Sequence, residues 1–427
     1  MRHAVRILIA VQLAVVVVAA AWTVARFPVW ALTDELPHFQ YVLTVGQDAR
    51  LPVLGEDRIP PETFALGRQP MGDPAALGLR GESYEAFQPP LYYVVLAPVT
   101  AAGGERLATV RVLRAVGAGF LLLAAWLAWL LARRVTADDE DGEAPLAAYA
   151  LALTVFVLPA VVVRNVTIAN TALALPFALL VTLLCWDALE RRDARRLVLA
   201  GVALGFAMLT RLELAVLAPL LAGVAWSLWR RGDVRPGPVV AALAAPVVLL
   251  APWLAWNLHE YGALTASGLA KDMQEPVLNP TGRTYGLGDL DDIARRIAGG
   301  FLPEEWWVHY LSGGWRAARD VVAVLAVVVA PILAIVRPPV RAARAVAFLV
   351  MPLVLTLAGL LFVLFAGQFD LLQPRYLHPV LPAYALFVAL VLRRWLAPRG
   401  IALIAGVVTL GAVAVWLAVA EGPTYVG

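Results

Sequence analysis

The chain has 427 residues, 61% of them hydrophobic and only 15% charged, with a formal net charge of +3. Soluble domains are nearer a quarter charged, so this composition excludes an ordinary water-soluble protein and indicates a membrane protein. The basic balance is no nucleic-acid footprint: the arginines cluster at the ends of apolar blocks, where they act as topology signals, and Lys271 is the sole lysine. The single cysteine, Cys185, lies inside an apolar block, which leaves no disulfide framework and no thiolate metal site.

In chain order, the apolar blocks are near the roughly 20 residues that a bilayer-spanning helix needs. The first, Val5–Ala25, carries Arg2 and Arg6 before it and "AAAW" at its end. Its apolar run is long for a cleaved signal peptide, so it is read as an uncleaved first helix. Leu107–Ala132, Pro145–Val163, Ile168–Ala188, Leu197–Leu209 and Leu212–Trp229 follow. Pro238–Asn257, Val321–Val336, Ala345–Gly367, Tyr376–Leu392 and Ile401–Ala420 bring the count to eleven. With the N-terminus inside, the connectors "ARRVTADDEDGE", "ERRDARR", "RRGDVR", "RPPVRAAR" and "RRW" all fall on the cytoplasmic side, as the positive-inside rule requires. The acidic "DDEDGE" within the first of these reads as a solvated loop.

Gln88–Ala102 is apolar but short, and if it crossed, every later arginine cluster would move to the outer face. It is therefore placed along the membrane surface as an interfacial helix. Two large outer regions result, residues 26–106 and 258–320. In the second, Trp306, Trp307, Tyr310 and Trp315 suit an amphipathic helix in the headgroup layer. The expected fold is an all-α polytopic membrane protein of about 11 transmembrane helices, forming one integral membrane domain over residues 1–427.

Some polar residues are not explained by topology. Arg164, Arg211 and Arg375 fall at outer ends of spans, where the positive-inside rule disfavours them. Each either snorkels or pairs with a neighbour such as Glu213, or serves a phosphate, whose oxygens match the guanidinium fork. His38, His259, His309 and His378 also gather in or beside outer segments, without a compact metal-binding motif.

Just past the first span stands "TDELPHFQY", Thr33–Tyr41, where Asp34 and Glu35 precede His38 by about one helical turn. A carboxylate there can act as a general base towards an acceptor hydroxyl, or hold a divalent cation such as Mg or Mn with help from His38. The alternative is helix capping, with Thr33 or Asp34 as N-cap and Glu35 in the first turn.

Taken in order, "TDELPHFQY", "YEAFQPPLYY", "GVALGFAMLTRLELAVLAPL", "APWLAWNLHEYGALTASG" and "QPRYLHPVLPA" resemble the GT-C superfamily of polytopic glycosyltransferases. The closest likeness is to bacterial relatives of protein O-mannosyltransferases and aminoarabinose transferases. The resemblance implies a polyprenyl-phosphate-linked sugar donor bound from the outer leaflet of the bacterial inner membrane. It also implies an acceptor hydroxyl on protein, lipid or glycan, single-displacement inverting transfer, and no obligatory cofactor. It maps the catalytic carboxylate onto Asp34, with Glu35 beside it. His38, Glu85, Gln88, Pro89, Arg164, Asn170, Arg211, Arg375, Tyr376 and His378 fall within or beside its motifs as substrate-binding positions. The chain departs from the family pattern at Phe87–Gln88, at Asn170–Thr171 and at Gln373–Pro374–Arg375–Tyr376. A transporter or flippase of a lipid-linked or anionic substrate would want similar outer arginines. Such proteins usually carry internal repeats and mid-membrane polar groups, and no repeat stands out here.

Overall fold

The computed structural model describes residues 2–30, 34–67, 81–137, 142–278, 286–289, 293, 330–339, 341–365 and 374–420. Among these residues all regular structure is helical. The only extended pairing there is an isolated bridge between Arg58 and Glu82. Helix α1 (Arg2–Arg26) leads to three helices of the first connector, α2 (Glu35–Asp48), the short α3 (Pro61–Ala65) and α4 (Leu91–Gly103). Next come α5 (Leu107–Val135), α6 (Ala144–Phe156), α7 (Pro159–Val166), α8 (Thr171–Arg191) and α9 (Ala194–Thr210). A 3-10 turn, Leu212–Leu217, enters α10 (Ala218–Arg230), followed by α11 (Pro236–Tyr261), α12 (Ser267–Leu278) and α13 (Ala330–Val336). After α14 (Ala342–Ala345) and a π-helical turn, Val346–Val350, come α15 (Met351–Phe365), a 3-10 turn Pro374–Leu377, α16 (Leu381–Leu392) and α17 (Pro398–Ala420).

Seven described stretches are long and apolar enough to cross a membrane: Arg2–Arg26, Leu107–Val135, Thr171–Arg191, Leu212–Arg230, Pro236–Tyr261, Ala343–Phe362 and Pro398–Leu417. An eighth is counted if α6 and α7, bent by 67° at their junction, form one broken span. Among the described residues not all of the expected eleven spans have that length, for identifiable reasons. Helix α9 has 17 residues and ends where Arg211 turns extended, at φ −150°. Helix α16 has only 12, because Pro379 lacks an N–H and Pro382 sits in the first turn, so residues 374–380 coil before the helix can start. Most of Val321–Val336 lies outside the described residues, as do Trp306, Trp307, Tyr310, Trp315 and His309.

In hydrocarbon, close packing of small residues and satisfied backbone groups hold helices together, because apolar surface gains little there from leaving lipid. Gly201 and Gly205, four apart on α9, let α11 approach closely. A Cβ on Gly201 would stand 2.1 Å from the Ala242 carbonyl oxygen, and one on Gly205 2.6 Å from Leu249 Cδ1. The break between α6 and α7 is buried, and Trp416 Nε1 on α17 donates to the Val157 carbonyl there (3.0 Å). Deep in α1, Gln12 Nε2 donates to Ala150 O and to Thr409 Oγ1, both at 2.9 Å, tying α1 to α6 and α17.

Charge is sorted to the two ends of the bundle. Asp187 on α8 is buried between Arg134 of α5 (2.7 Å) and Arg196 of α9, and Glu190 pairs with Arg341 (2.7 Å). The arginine-rich connectors meet there. At the far end of α5, roughly 40 Å away by helical rise, the first connector caps the bundle. Its α2 packs on α4, with Gly46 against Ala97 and Thr100, and Thr100 Oγ1 donating to Val42 O at 2.9 Å. An aromatic cluster that includes Trp30, Phe39, Tyr41, Tyr92 and Tyr93 fills the space beneath.

Candidate active site

The site is built around the start of α2. Asp34 occupies the N-cap position, yet its carboxylate makes no capping hydrogen bond. It turns instead towards three donors on separate elements. Arg375 Nη1, from the turn before α16, donates to Asp34 Oδ2. Tyr84 OH donates to Oδ1 (3.1 Å), and Arg164 Nη1 of α7 lies 4.0 Å from Oδ2. Two of the charges that sequence topology left unexplained, Arg164 and Arg375, therefore meet at one carboxylate, drawn from stretches up to 341 residues apart.

Glu35, expected beside Asp34 as a second catalytic carboxylate, faces the other way. It is 1% exposed and bound in a two-pronged pair by Arg114, Nε to Oε1 at 2.7 Å and Nη2 to Oε2 at 2.6 Å. The backbone N–H groups of Trp30 and Ile168 each donate to it as well (both 3.2 Å). Arg114 also donates to the carbonyls of Phe27 (2.7 Å), Pro28 (3.1 Å) and Thr23 (3.3 Å) at the end of α1. A charge pair this enclosed survives only when nearly every remaining donor and acceptor is satisfied. Sequence reasoning missed Arg114, although it carried the signal that marked Arg164 and Arg211, an arginine near the outer end of a span.

His38 lies one turn after Asp34, its Nδ1 hydrogen-bonded to Tyr93 OH at 2.8 Å. Burial, with the nearby guanidinium charges of Arg211 and Arg164, pushes its imidazole down to about 3, so it is neutral at working pH. Gln88, just before α4, accepts Asn170 Nδ2 on its Oε1 (3.1 Å) and donates through Nε2 to Glu85 Oε2 (2.9 Å). Pro89 is buried beside it. Asn170, at the start of α8, takes Arg211 Nη1 on its Oδ1 (3.2 Å). Arg211 pairs with Glu213 (2.9 Å), and its guanidinium lies 5.0 Å from the Tyr376 ring centroid. Arg375 lies 5.6 Å from the same ring, so Tyr376 stands between the two arginines. His378 is buried, and its backbone N–H donates to Arg375 O (3.2 Å), within the turn that carries Arg375. A small hollow of about 10 Å³ lies beside this group, and its lining includes Arg211, Glu213, Arg375 and Tyr376. His259, on α11, is exposed and makes no part of this cluster.

The arrangement offers a buried carboxylate with a guanidinium in contact, a second at ion-pair distance and a third across Tyr376. That is chemistry suited to an anionic headgroup, with a base at hand.

A family model described as dolichyl-phosphate-mannose-protein mannosyltransferase matches residues 87–256. That segment holds Gln88, Pro89, Arg114, Arg164, Asn170 and Arg211, whereas Asp34, Glu85 and Arg375 lie outside it. No curated protein matches the chain. The chain is thus an all-α polytopic membrane protein that resembles the GT-C superfamily of glycosyltransferases through its likeness to the protein O-mannosyltransferases.

Proposed function

We propose that this protein moves a sugar from a polyprenyl-phosphate carrier to an acceptor hydroxyl, at the end of the bundle that faces away from the cytoplasm. The observation that carries the reading is the meeting of Asp34, Arg164 and Arg375 around one carboxylate, with Arg211 next to it. The family match supports a membrane glycosyltransferase. Sidedness rests on the arginine-rich connectors at the opposite end, which the positive-inside rule puts in the cytoplasm of a bacterial cell.

The donor's tail stays in the surrounding lipid and its phosphate meets Arg375 and Arg211, with Arg164 nearby. Asp34 takes the proton of the acceptor hydroxyl, whose oxygen attacks the anomeric carbon. The carbon–oxygen bond to phosphate breaks, and the polyprenyl phosphate leaves carrying the bond's electron pair, so the anomeric centre is inverted. The guanidinium groups stabilise the charge growing on that phosphate, an effect strengthened at the low-dielectric edge of a membrane. Arg375 donates to the Asp34 carboxylate. A donor phosphate competes for Arg375 and releases the carboxylate to act as base, so donor binding precedes acceptor activation. Glu35, bound by Arg114, ties the start of α2 to the end of α1 and does not touch substrate. The leaving phosphate is already an anion matched by arginines, so the chemistry requires no divalent ion, and EDTA is expected to leave transfer unchanged.

The test incubates membranes containing the protein with a radiolabelled polyprenyl-phosphate sugar and follows label into product. Asp34→Asn is expected to lower transfer by about 10²–10⁴-fold, the usual worth of a general base, with membrane insertion intact. Near-normal transfer by that variant overturns the assignment. Redistribution of the sugar-lipid across the bilayer without product indicates a flippase instead.

A further inference from the structure

The transfer scheme leaves one polar chain of the site without a role, and it begins at Glu85. This carboxylate is 6% exposed, in the connector before α4. Gln88 Nε2 donates to Glu85 Oε2 (2.9 Å), and Gln88 Oε1 accepts from Asn170 Nδ2 (3.1 Å). Asn170 Nδ2 also donates to Thr210 O (3.3 Å), while Asn170 Oδ1 accepts from Arg211 Nη1 (3.2 Å). The row therefore runs carboxylate, amide, amide, guanidinium. An ionised carboxylate only accepts and a guanidinium only donates, so the two ends dictate the sense in which each amide is turned.

We propose that Glu85 is a positioning residue that fixes the direction of Arg211 through Gln88 and Asn170, an inference that rests on Arg211 serving the donor phosphate. A protonated Glu85 still accepts from Gln88 through its carbonyl oxygen, but without the charge that strengthens the bond to a carboxylate. Gln88 is then held less firmly, and so is the amide of Asn170 that it orients, whose oxygen receives Arg211. Protonation therefore loosens the row at its acidic end and with it the aim of Arg211.

The charged and titratable groups around Glu85 are Arg211 and Glu213 at the end of α9 and the turn after it, its neighbour Tyr84, and Tyr93 of α4. Burial pushes its carboxyl up to about 7 against the pull of Gln88 and Arg211, with Glu213 adding to the rise. The row is thus firmly held above that pH and loosely held below it. Its sequence signal was faint: Glu85 is one acid in a mixed connector, and only the fold places it in line with Arg211.

The experiment measures binding of radiolabelled polyprenyl monophosphate to the full chain in lipid nanodiscs from pH 5.5 to 8.5, with thermal unfolding confirming that each variant is folded. Wild-type affinity is expected to rise by up to about ten-fold as pH passes through about 7, the worth of roughly one hydrogen bond. Glu85→Gln should flatten that profile, since an amide does not titrate and can still accept from Gln88. Gln88→Leu should flatten it too, at the weak-binding limit, although Glu85 is retained. A flat wild-type profile overturns the inference, as does a Glu85→Gln variant that keeps the wild-type slope. A Gln88→Leu variant that keeps the slope also overturns it, because Glu85 would then act through space. Wild type that binds no polyprenyl phosphate at any pH overturns the transferase reading itself and this inference with it. Binding without pH dependence removes only the latter.

Discussion

Asp34 and Glu35 are adjacent carboxylates of equal weight on paper, and their surroundings give them different work. Asp34 faces arginines that a ligand can claim, whereas both oxygens of Glu35 are committed to Arg114 and two backbone N–H groups. Removing one partner of so enclosed a pair leaves an uncompensated charge, so Arg114→Met should cost about 3–5 kcal/mol of stability. Asp34→Asn should leave the thermal unfolding midpoint nearly unchanged, and comparing the two in nanodiscs checks both. Glu85 adds a pH dependence whose sign can be worked out. Its folded value, about 7, lies above the unfolded 4.5, so between those limits the folded chain binds more protons. Stability therefore falls as pH rises from about 4.5 to about 7, the direction opposite to that expected for donor affinity, and Glu85→Gln should remove that slope. The site was partly legible at this scale. Arg164, Arg211 and Arg375 stood out because they break the positive-inside pattern. Arg114 breaks it too, but it lies within an apolar block and was passed over. The partners of Glu35 were beyond reach, since a backbone N–H such as that of Ile168 leaves no mark in the sequence.

At the scale of elements, hydropathy revealed the long helices and concealed their interruptions. A window average passes smoothly over Val157–Leu158, although Pro159 marks the place where a new first turn begins. The same averaging merged the coil at residues 374–380 with α16, hiding the turn that delivers Arg375. The spacing of Gly201 and Gly205 does have a readable meaning, a face for close helix approach. A side chain at Gly201 meets the backbone of α11, which cannot yield as a flexible side chain could. Gly201→Leu should therefore force α9 from α11 and sharply reduce the yield of folded protein in detergent. Gly223→Leu on α10, where an added Cβ meets nothing within 4 Å, should be tolerated. Size-exclusion profiles of the two variants decide the matter.

Over the whole molecule, two differently charged ends define a direction across the bilayer. One end joins the arginine-rich connectors through Asp187 and Glu190, and the other gathers Asp34 and its partners. Cys185 is fully buried and so gives little background in labelling. A cysteine placed at exposed Glu56 should react with an impermeant maleimide added outside intact cells, and one at exposed Arg231 only after lysis. Labelling of both from the same compartment would undo the proposed orientation. The overall class was legible because bilayer thickness fixes helix length. The length of each helix was not, because one bent helix pair and two short helices satisfy their backbones through neighbours. Trp416 is the clearest such neighbour, since its indole reaches back 259 residues to the carbonyl at the α6–α7 break. During synthesis that carbonyl must wait in the translocon or the lipid until α17 has been made and inserted. Assembly of this protein therefore has a late step, and nascent chains halted ahead of α17 are natural prey for membrane quality-control proteases.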